Sequence, residues 1–373
     1  MGQNRENAMP TDITAAVAHE GELEFRVETV RLRDPGEGDV VVEIAATAFC
    51  YSDWLSIDGD AEARVPGIRP IVLGHSAVGT VVDRGPEARH RLGQRVLITA
   101  TPECGVCFWC TSGRIDQCEG LFVPAPVIGT LADGSEVRAP GHSGTYAERS
   151  VLRGIQAFPI DSDLPDEWLS MFGCGIVSGV GAVVNVGRVE PGSTVVVVGC
   201  GQVGLWMIQG ARLRGAARII AVEPLAHRRA VAARVGATDV IDPADGPVVE
   251  AVRALTDGRG ADYGFDAGGT LEAVRDTFLA TRNGGVTVLT SYVERWSEIE
   301  LPLFELALRG RDVRSSQSGR LDMRRDIAQF SRMLESGSID VDAMIGGVYP
   351  LAEVNAALAA SRDRTEVTPI IKP

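Results

Sequence analysis

Along the first hundred positions apolar residues gather in short runs, at 40–46, 77–82 and 95–98, separated by polar stretches and by Gly36, Gly74, Gly85 and Gly93. Runs of that length bounded by turn residues predict strands in an irregular, β-rich region from about residue 14 to residue 100. From residue 193 onward the pattern changes. Apolar runs at 194–198, 218–222, 239–241, 261–266, 286–291 and 313–316 alternate with stretches of helical or crossover character, a rhythm that predicts a doubly wound parallel sheet of α/β class. Residues 323–335 and 351–361 then read as amphipathic helices, and 367–371 as a short strand.

A chain of 373 residues holds about two domains. The change of pattern places them at 1–177 together with a returning tail, 321–373, and at 178–320. Fifty acidic against 36 basic residues give a net charge of −14, which opposes binding to nucleic acid or to an anionic membrane. No apolar run reaches the roughly 18 residues of a membrane span, and the polar start, residues 1–11, lacks the apolar segment of a signal peptide. The expected location is the cytoplasm, where clustered thiols hold metal more often than they form disulfides.

Four of the seven cysteines, Cys104, Cys107, Cys110 and Cys118, form C-x2-C-x2-C-x7-C. Four thiolates in one loop suit a tetrahedral zinc. They leave no open position for a substrate, so the ion's role is to pin the loop. An iron–sulfur cluster is the rival occupant.

The apolar run 194–198 leads into Gly199-Cys200-Gly201-Gln202-Val203-Gly204, a G-x-G-x-x-G after a strand and at the start of a helix. In that context Gly199 allows the turn, Gly201 lets a pyrophosphate approach the backbone, and Gly204 lets the helix pack closely. Glu223 ends the next strand nineteen residues on. There a carboxylate can accept from a ribose diol and repel a 2′-phosphate, which favours NAD(H) over NADP(H). Arg228 follows closely enough to line the adenosine ribose, or else lies on a solvated helix face.

Cys50, His75 and Cys174 lie far apart, and spacing alone makes no site of them. The order of motifs does more: Cys50-Tyr51-Ser52-Asp53, Gly74-His75, the four-cysteine loop, Gly173-Cys174-Gly175, then the glycine turn. In that order the chain resembles the zinc-dependent alcohol dehydrogenases of the medium-chain dehydrogenase/reductase family over nearly its whole length. The resemblance implies a GroES-like β domain with two zincs per chain and a Rossmann domain for the nicotinamide cofactor. By motif match Cys50, His75 and Cys174 hold the catalytic zinc, leaving a fourth position for an alcohol or water. Ser52 is implied as the hydroxyl that handles the substrate proton, Asp53 as the carboxylate that orients the histidine, and Ser178 as a residue beside the nicotinamide. The substrate is then a small alcohol or carbonyl compound. The long connector 119–144 looks like that of dimeric branches, which makes a homodimer the first expectation and a tetramer the second.

The chain also departs from the family. Ser76 stands where a glutamate usually follows the histidine, and Leu55 where many members place a relay histidine. Tyr51 and Thr368 stand where basic residues often approach the cofactor. These changes leave open an alternative, a reductase of an activated double bond or imine with an altered or absent catalytic zinc. A binding protein that has lost turnover is a third reading, opposed by the retention of Cys50, Ser52, His75 and Cys174.

Overall fold

The computed structural model describes residues 12–58, 68–99, 103–291 and 297–373; the polar start at 1–11 lies outside them. The chain forms two compact units. One holds the residues through Thr111, Cys118–Cys174 and Gly346–Pro373, the other Ser112–Gln117 and Gly175–Ile345.

The first unit is built from β-structure. Strands Asp12–Ala18, Phe25–Leu32, Val127–Thr130, Glu136–Arg138 and Ile71–Val72 close into a barrel, which removes the exposed edges an open sheet would present. A second sheet runs in the order Ala157–Pro159, Arg95–Thr99, Ser76–Arg84, Asp39–Ala48, Ile370–Lys372 and Val348–Pro350, with Arg149–Arg153 also paired to Asp39–Ala48. The strands predicted at 40–46, 77–82 and 95–98 lie within this sheet. The stretch 119–144, expected as a plain connector, instead contains the hairpin Val127–Thr130 and Glu136–Arg138, which turns at Asp133-Gly134-Ser135. Its pairing to Phe25–Leu32 on one side and to Ile71 on the other is what closes the barrel.

The second unit is a six-stranded parallel sheet in the order Asp239–Ile241, Arg218–Val222, Thr194–Val198, Ala261–Asp266, Thr281–Leu289 and Asp312–Ser315. The run Thr-Val-Val-Val-Val at 194–198 is buried on both faces, as a central parallel strand requires. Strand order reverses between Thr194–Val198 and Ala261–Asp266, so the loop after residue 198 opens at a topological switch point, where such sheets bind ligands. The first four strands of this unit have the predicted bounds. The fifth begins earlier, at Thr281, because a bulge between Ala261 and Tyr263 extends its pairing.

The returning tail is shorter than the expected 321–373. Helix Met323–Glu335 stays with the second unit, whose side chains bond to the helix and to the turn after it. Asn185 Nδ2 donates to Asp326 Oδ2 at 3.3 Å, Gln209 Oε1 accepts from the Asp340 N–H at 2.7 Å, and Arg212 Nη2 donates to the Ser338 carbonyl at 2.8 Å. Among the described residues no helix is long and apolar enough to cross a membrane.

Candidate metal and cofactor sites

Cys50 ends the strand region of Asp39–Ala48 and caps the short helix Tyr51–Ile57. Asp53, three residues on, accepts from the Cys50 N–H at 3.2 Å, so the local turn sets both the cysteine and the acid. His75 follows Gly74, which has φ +88°. Cys174 sits in a wide π turn, Phe172–Ile176. Two hydroxyls hold the approach to that turn: Ser76 Oγ donates to the Ser170 carbonyl at 2.6 Å, and Thr99 Oγ1 to the Gly173 carbonyl at 2.7 Å. Gly173 itself has no room for a side chain, because a Cβ there would lie 2.1 Å from the Ile98 carbonyl oxygen.

The fold brings one ligand atom each of Cys50, His75 and Cys174 within 4.8 Å of one another. The two sulfurs are 4.0 Å apart, close to the about 3.8 Å that tetrahedral zinc–sulfur bonds of about 2.3 Å impose. His75 Nδ1 faces Asp53 Oδ1 at 3.3 Å, which leaves Nε2 as the nitrogen for an ion. Ser52 Oγ donates to Cys50 Sγ at 3.1 Å. The hydrogen bond from Cys174 holds the Cys50 thiol well below its ordinary pKa, against the opposing effect of burial, while Cys174 is pushed well above its own. Burial pushes the Asp53 carboxyl up, but His75, Tyr146 and the Gly74 N–H together outweigh it and leave the pKa lowered. Two adjacent sulfurs beside an imidazole backed by a carboxylate form a donor set that fits a zinc with one position to spare.

Cys104, Cys107, Cys110 and Cys118 converge in the same way, also within 4.8 Å of one another. Backbone N–H groups point at the sulfurs: Cys107 to Cys104 Sγ, and both Cys104 and Gly120 to Cys118 Sγ, each at 3.3 Å. Such bonds stabilise thiolates. The Cys110 and Glu119 N–H groups draw the Cys107 thiol down to about 6, whereas burial pushes Cys110 up to about 12. All four ligands come from protein, so this set would hold an ion without offering it to a substrate.

In the second unit the glycine turn has three different constraints. Gly199 has φ +94°, and a Cβ on it would lie 2.5 Å from the Ala267 carbonyl oxygen; one on Gly204 would lie 1.9 Å from the Gly199 carbonyl oxygen. The protein's own packing requires both. Gly201, with φ −73°, would meet nothing nearer than Arg228 Nη1 at 3.8 Å. The space over Gly201 is therefore left clear, beside a guanidinium and at the start of the helix Gln202–Leu213, which suits a pyrophosphate. Gln202 and Val203 open that helix. Glu223 is buried, its Oε2 accepting from the Cys200 N–H at 2.8 Å and its Oε1 from the Leu225 N–H at 3.0 Å. Ser178 lies half-buried in the helix Val177–Gly181.

The departures acquire physical roles. Ser76 is a structural hydroxyl, and Leu55 packs against the core of the first unit. Tyr51 is exposed, and the Arg364 guanidinium lies 5.5 Å from its ring centroid, so the fold sets a cation beside a position that lacks one in sequence. Thr368 is buried. Sequence reasoning missed Tyr146, whose Oη donates to Asp53 Oδ2 at 2.6 Å. No spacing rule connects residues 93 positions apart, and its neighbours Thr145 and Ala147 carry no recognisable motif.

Residues 36–166 match the family described as alcohol dehydrogenase GroES-like domain, and residues 203–336 that described as zinc-binding dehydrogenase. The chain is 32% identical over 365 residues to S-(hydroxymethyl)glutathione dehydrogenase of Saccharomyces cerevisiae, covering 93% of each protein. It is 31% identical over 370 residues to the NDMA-dependent alcohol dehydrogenase of Amycolatopsis methanolica, covering 96% of this chain and 98% of that one. Among solved structures, benzyl alcohol dehydrogenase of Acinetobacter calcoaceticus superposes with a TM-score of 0.89 at 28% identity, over 97% of this chain and 99% of that one.

Proposed function

Because the chain belongs to the zinc-dependent alcohol dehydrogenases of the medium-chain dehydrogenase/reductase family, an oxidoreductase of CH–OH groups, we propose that it carries two zincs per chain and exchanges hydride between a small alcohol or carbonyl compound and NAD(H). The observation that carries this reading is the convergence of Cys50, His75 and Cys174 within 4.8 Å, with Asp53 behind the histidine. That complete set weighs against a double-bond or imine reductase lacking the metal.

Cys50, His75 and Cys174 would hold the catalytic zinc and the four-cysteine loop the structural one. When bound, the catalytic ion supplies Lewis acidity toward a substrate oxygen, and the nicotinamide supplies the hydride acceptor or donor. Asp53 keeps the imidazole in the tautomer that leaves Nε2 free. The Ser52 hydroxyl, which donates to Cys50 Sγ, is placed to exchange that bond for one to the substrate oxygen, accepting the substrate proton as it passes its own proton on. Leu55 offers no acceptor of its own, so the proton released by Ser52 leaves to solvent instead of through that side chain.

Gly199, Gly201, Gln202, Val203 and Gly204 would cradle the pyrophosphate with Arg228 beside it. The Glu223 carboxylate favours NAD(H), and Ser178 would contact the nicotinamide. A cytoplasmic setting keeps seven thiols reduced. A homodimer is supported by the strand Asp312–Ser315, which among the described residues has a strand neighbour on one side only, and by the exposed Leu303, Phe304 and Leu308 that precede it.

The test is metal analysis joined to a cofactor-reduction screen over primary, secondary and polyol alcohols. Wild type should contain two zincs and reduce NAD in a saturable way. Cys174→Ala should contain one zinc, keep its fold and lose turnover. One zinc in a fully active wild type would overturn the assignment.

A further inference from the structure

Asp53 has more donors around it than the orientation of one histidine requires. Its Oδ1 faces His75 Nδ1 and the Gly74 N–H, each at 3.3 Å. Its Oδ2 accepts from the Cys50 N–H at 3.2 Å and from the Tyr146 phenol at 2.6 Å. The phenol makes the shortest of the four contacts. It is also the only one of these donors from outside the segments that carry Cys50 and His75.

The ring of Tyr146 is fully buried. It stacks on Phe49 with centroids 5.3 Å apart and planes 12° from parallel, and meets Phe25 edge-on at 5.8 Å. It also fills the space over Gly74, where a Cβ would lie 2.7 Å from Tyr146 Cδ1. The Tyr146 backbone N–H donates to the Leu73 carbonyl at 3.0 Å. One residue thus seats the turn before His75 with its ring and holds the acid behind His75 with its hydroxyl. Phenylalanine would supply the same ring contacts and nearly the same buried area, so packing accounts for all of Tyr146 except its hydroxyl. A buried phenol needs an acceptor, and the acceptor here is the carboxylate that aims a candidate ligand.

A carboxylate turns about a broad, two-fold terminal torsion. With the phenol in place, turning Asp53 breaks a short hydrogen bond as well as the longer ones. Without it, Oδ2 keeps only the Cys50 N–H, and the acid can swing while His75 follows. On the reading that Cys50, His75 and Cys174 hold zinc, we propose that Tyr146 is a positioning residue, whose hydroxyl locks Asp53 and through it the His75 ring, and so sets how firmly this site keeps its ion.

The experiment follows zinc transfer from the holoenzyme to a colorimetric chelator in wild type, Tyr146→Phe, Asp53→Asn and the double variant, with thermal unfolding recorded for each. Tyr146→Phe should be purified folded with two zincs and release one of them roughly tenfold faster, the lower end of the ~10- to 100-fold that outer partners of metal ligands contribute. The other zinc should leave at the wild-type rate. In the Asp53→Asn background the tyrosine substitution should add nothing, because its effect passes through the acid. Two zincs in both wild type and Tyr146→Phe with identical release, or effects of the two substitutions that simply multiply, overturns the proposal alone. A single zinc in wild type overturns it together with the zinc reading.

Discussion

Ser76 and Thr99 face each other across adjacent antiparallel strands, and each gives its hydroxyl proton to a carbonyl of the segment that ends at Cys174. One strand begins directly after His75. A single cross-strand pair thereby ties two of the three candidate ligands together without touching either.

Removing these hydroxyls should loosen the third ligand. Ser76→Ala and Thr99→Val each leave a buried carbonyl without its donor, at a cost of about 1–3 kcal/mol. Chemical denaturation should show that loss, and zinc release should quicken in both variants. Ser76→Glu, which restores the usual family residue, should be worse than Ser76→Ala. Ser76 is buried and its Oγ lies 3.1 Å from where a Gly173 Cβ would be, so a larger charged group lacks room there.

The glycine turn separates packing from binding. Gly201→Ala should leave the melting temperature within about 1–2 °C of wild type, since backbone and surroundings accept a Cβ, yet weaken NAD binding about tenfold or more by filling the phosphate space. Gly204→Ala should instead destabilise the unit, because its Cβ would strike the Gly199 carbonyl. Calorimetric titration with NAD beside thermal unfolding distinguishes the two.

Charge at the end of Arg218–Val222 should decide the cofactor. Glu223→Gln preserves an acceptor for the Cys200 N–H and removes the negative charge. The ratio of kcat/KM for NAD to that for NADP should fall roughly tenfold, equivalent to about 1.4 kcal/mol. An unchanged ratio would show that Glu223 does not discriminate.

The four-cysteine loop should be separable from turnover chemistry. Cys110→Ser should lower zinc content by one, make the remaining loop thiols react with a disulfide reagent, and reduce thermal stability, since a closed four-ligand site contributes to folding. Per folded, two-domain molecule, the zinc held by Cys50, His75 and Cys174 should stay. Loss of both ions at once would show the sites to be coupled.

The sequence by itself determined the parallel sheet, the glycine turn and the four-cysteine loop. Each is local: a valine run buried on both faces, a turn directly between strand and helix, four thiols within fifteen residues. It also pointed to Cys50, His75 and Cys174, but only through the order of motifs, since nothing in the 123 intervening residues says that Cys50 and Cys174 meet. Strand pairing decided that, by setting Ser76 opposite Thr99, with the Thr47 hydroxyl on the Ser76 carbonyl, and the segment of Cys174 onto the hydroxyls of Ser76 and Thr99. Only the tertiary structure showed that 119–144 completes a barrel, that the helix Met323–Glu335 stays with the parallel sheet, and that Tyr146 donates to Asp53. A hydrogen bond over a long separation leaves no periodicity in the chain; its partners are chosen by which buried polar atoms the packed core leaves within reach.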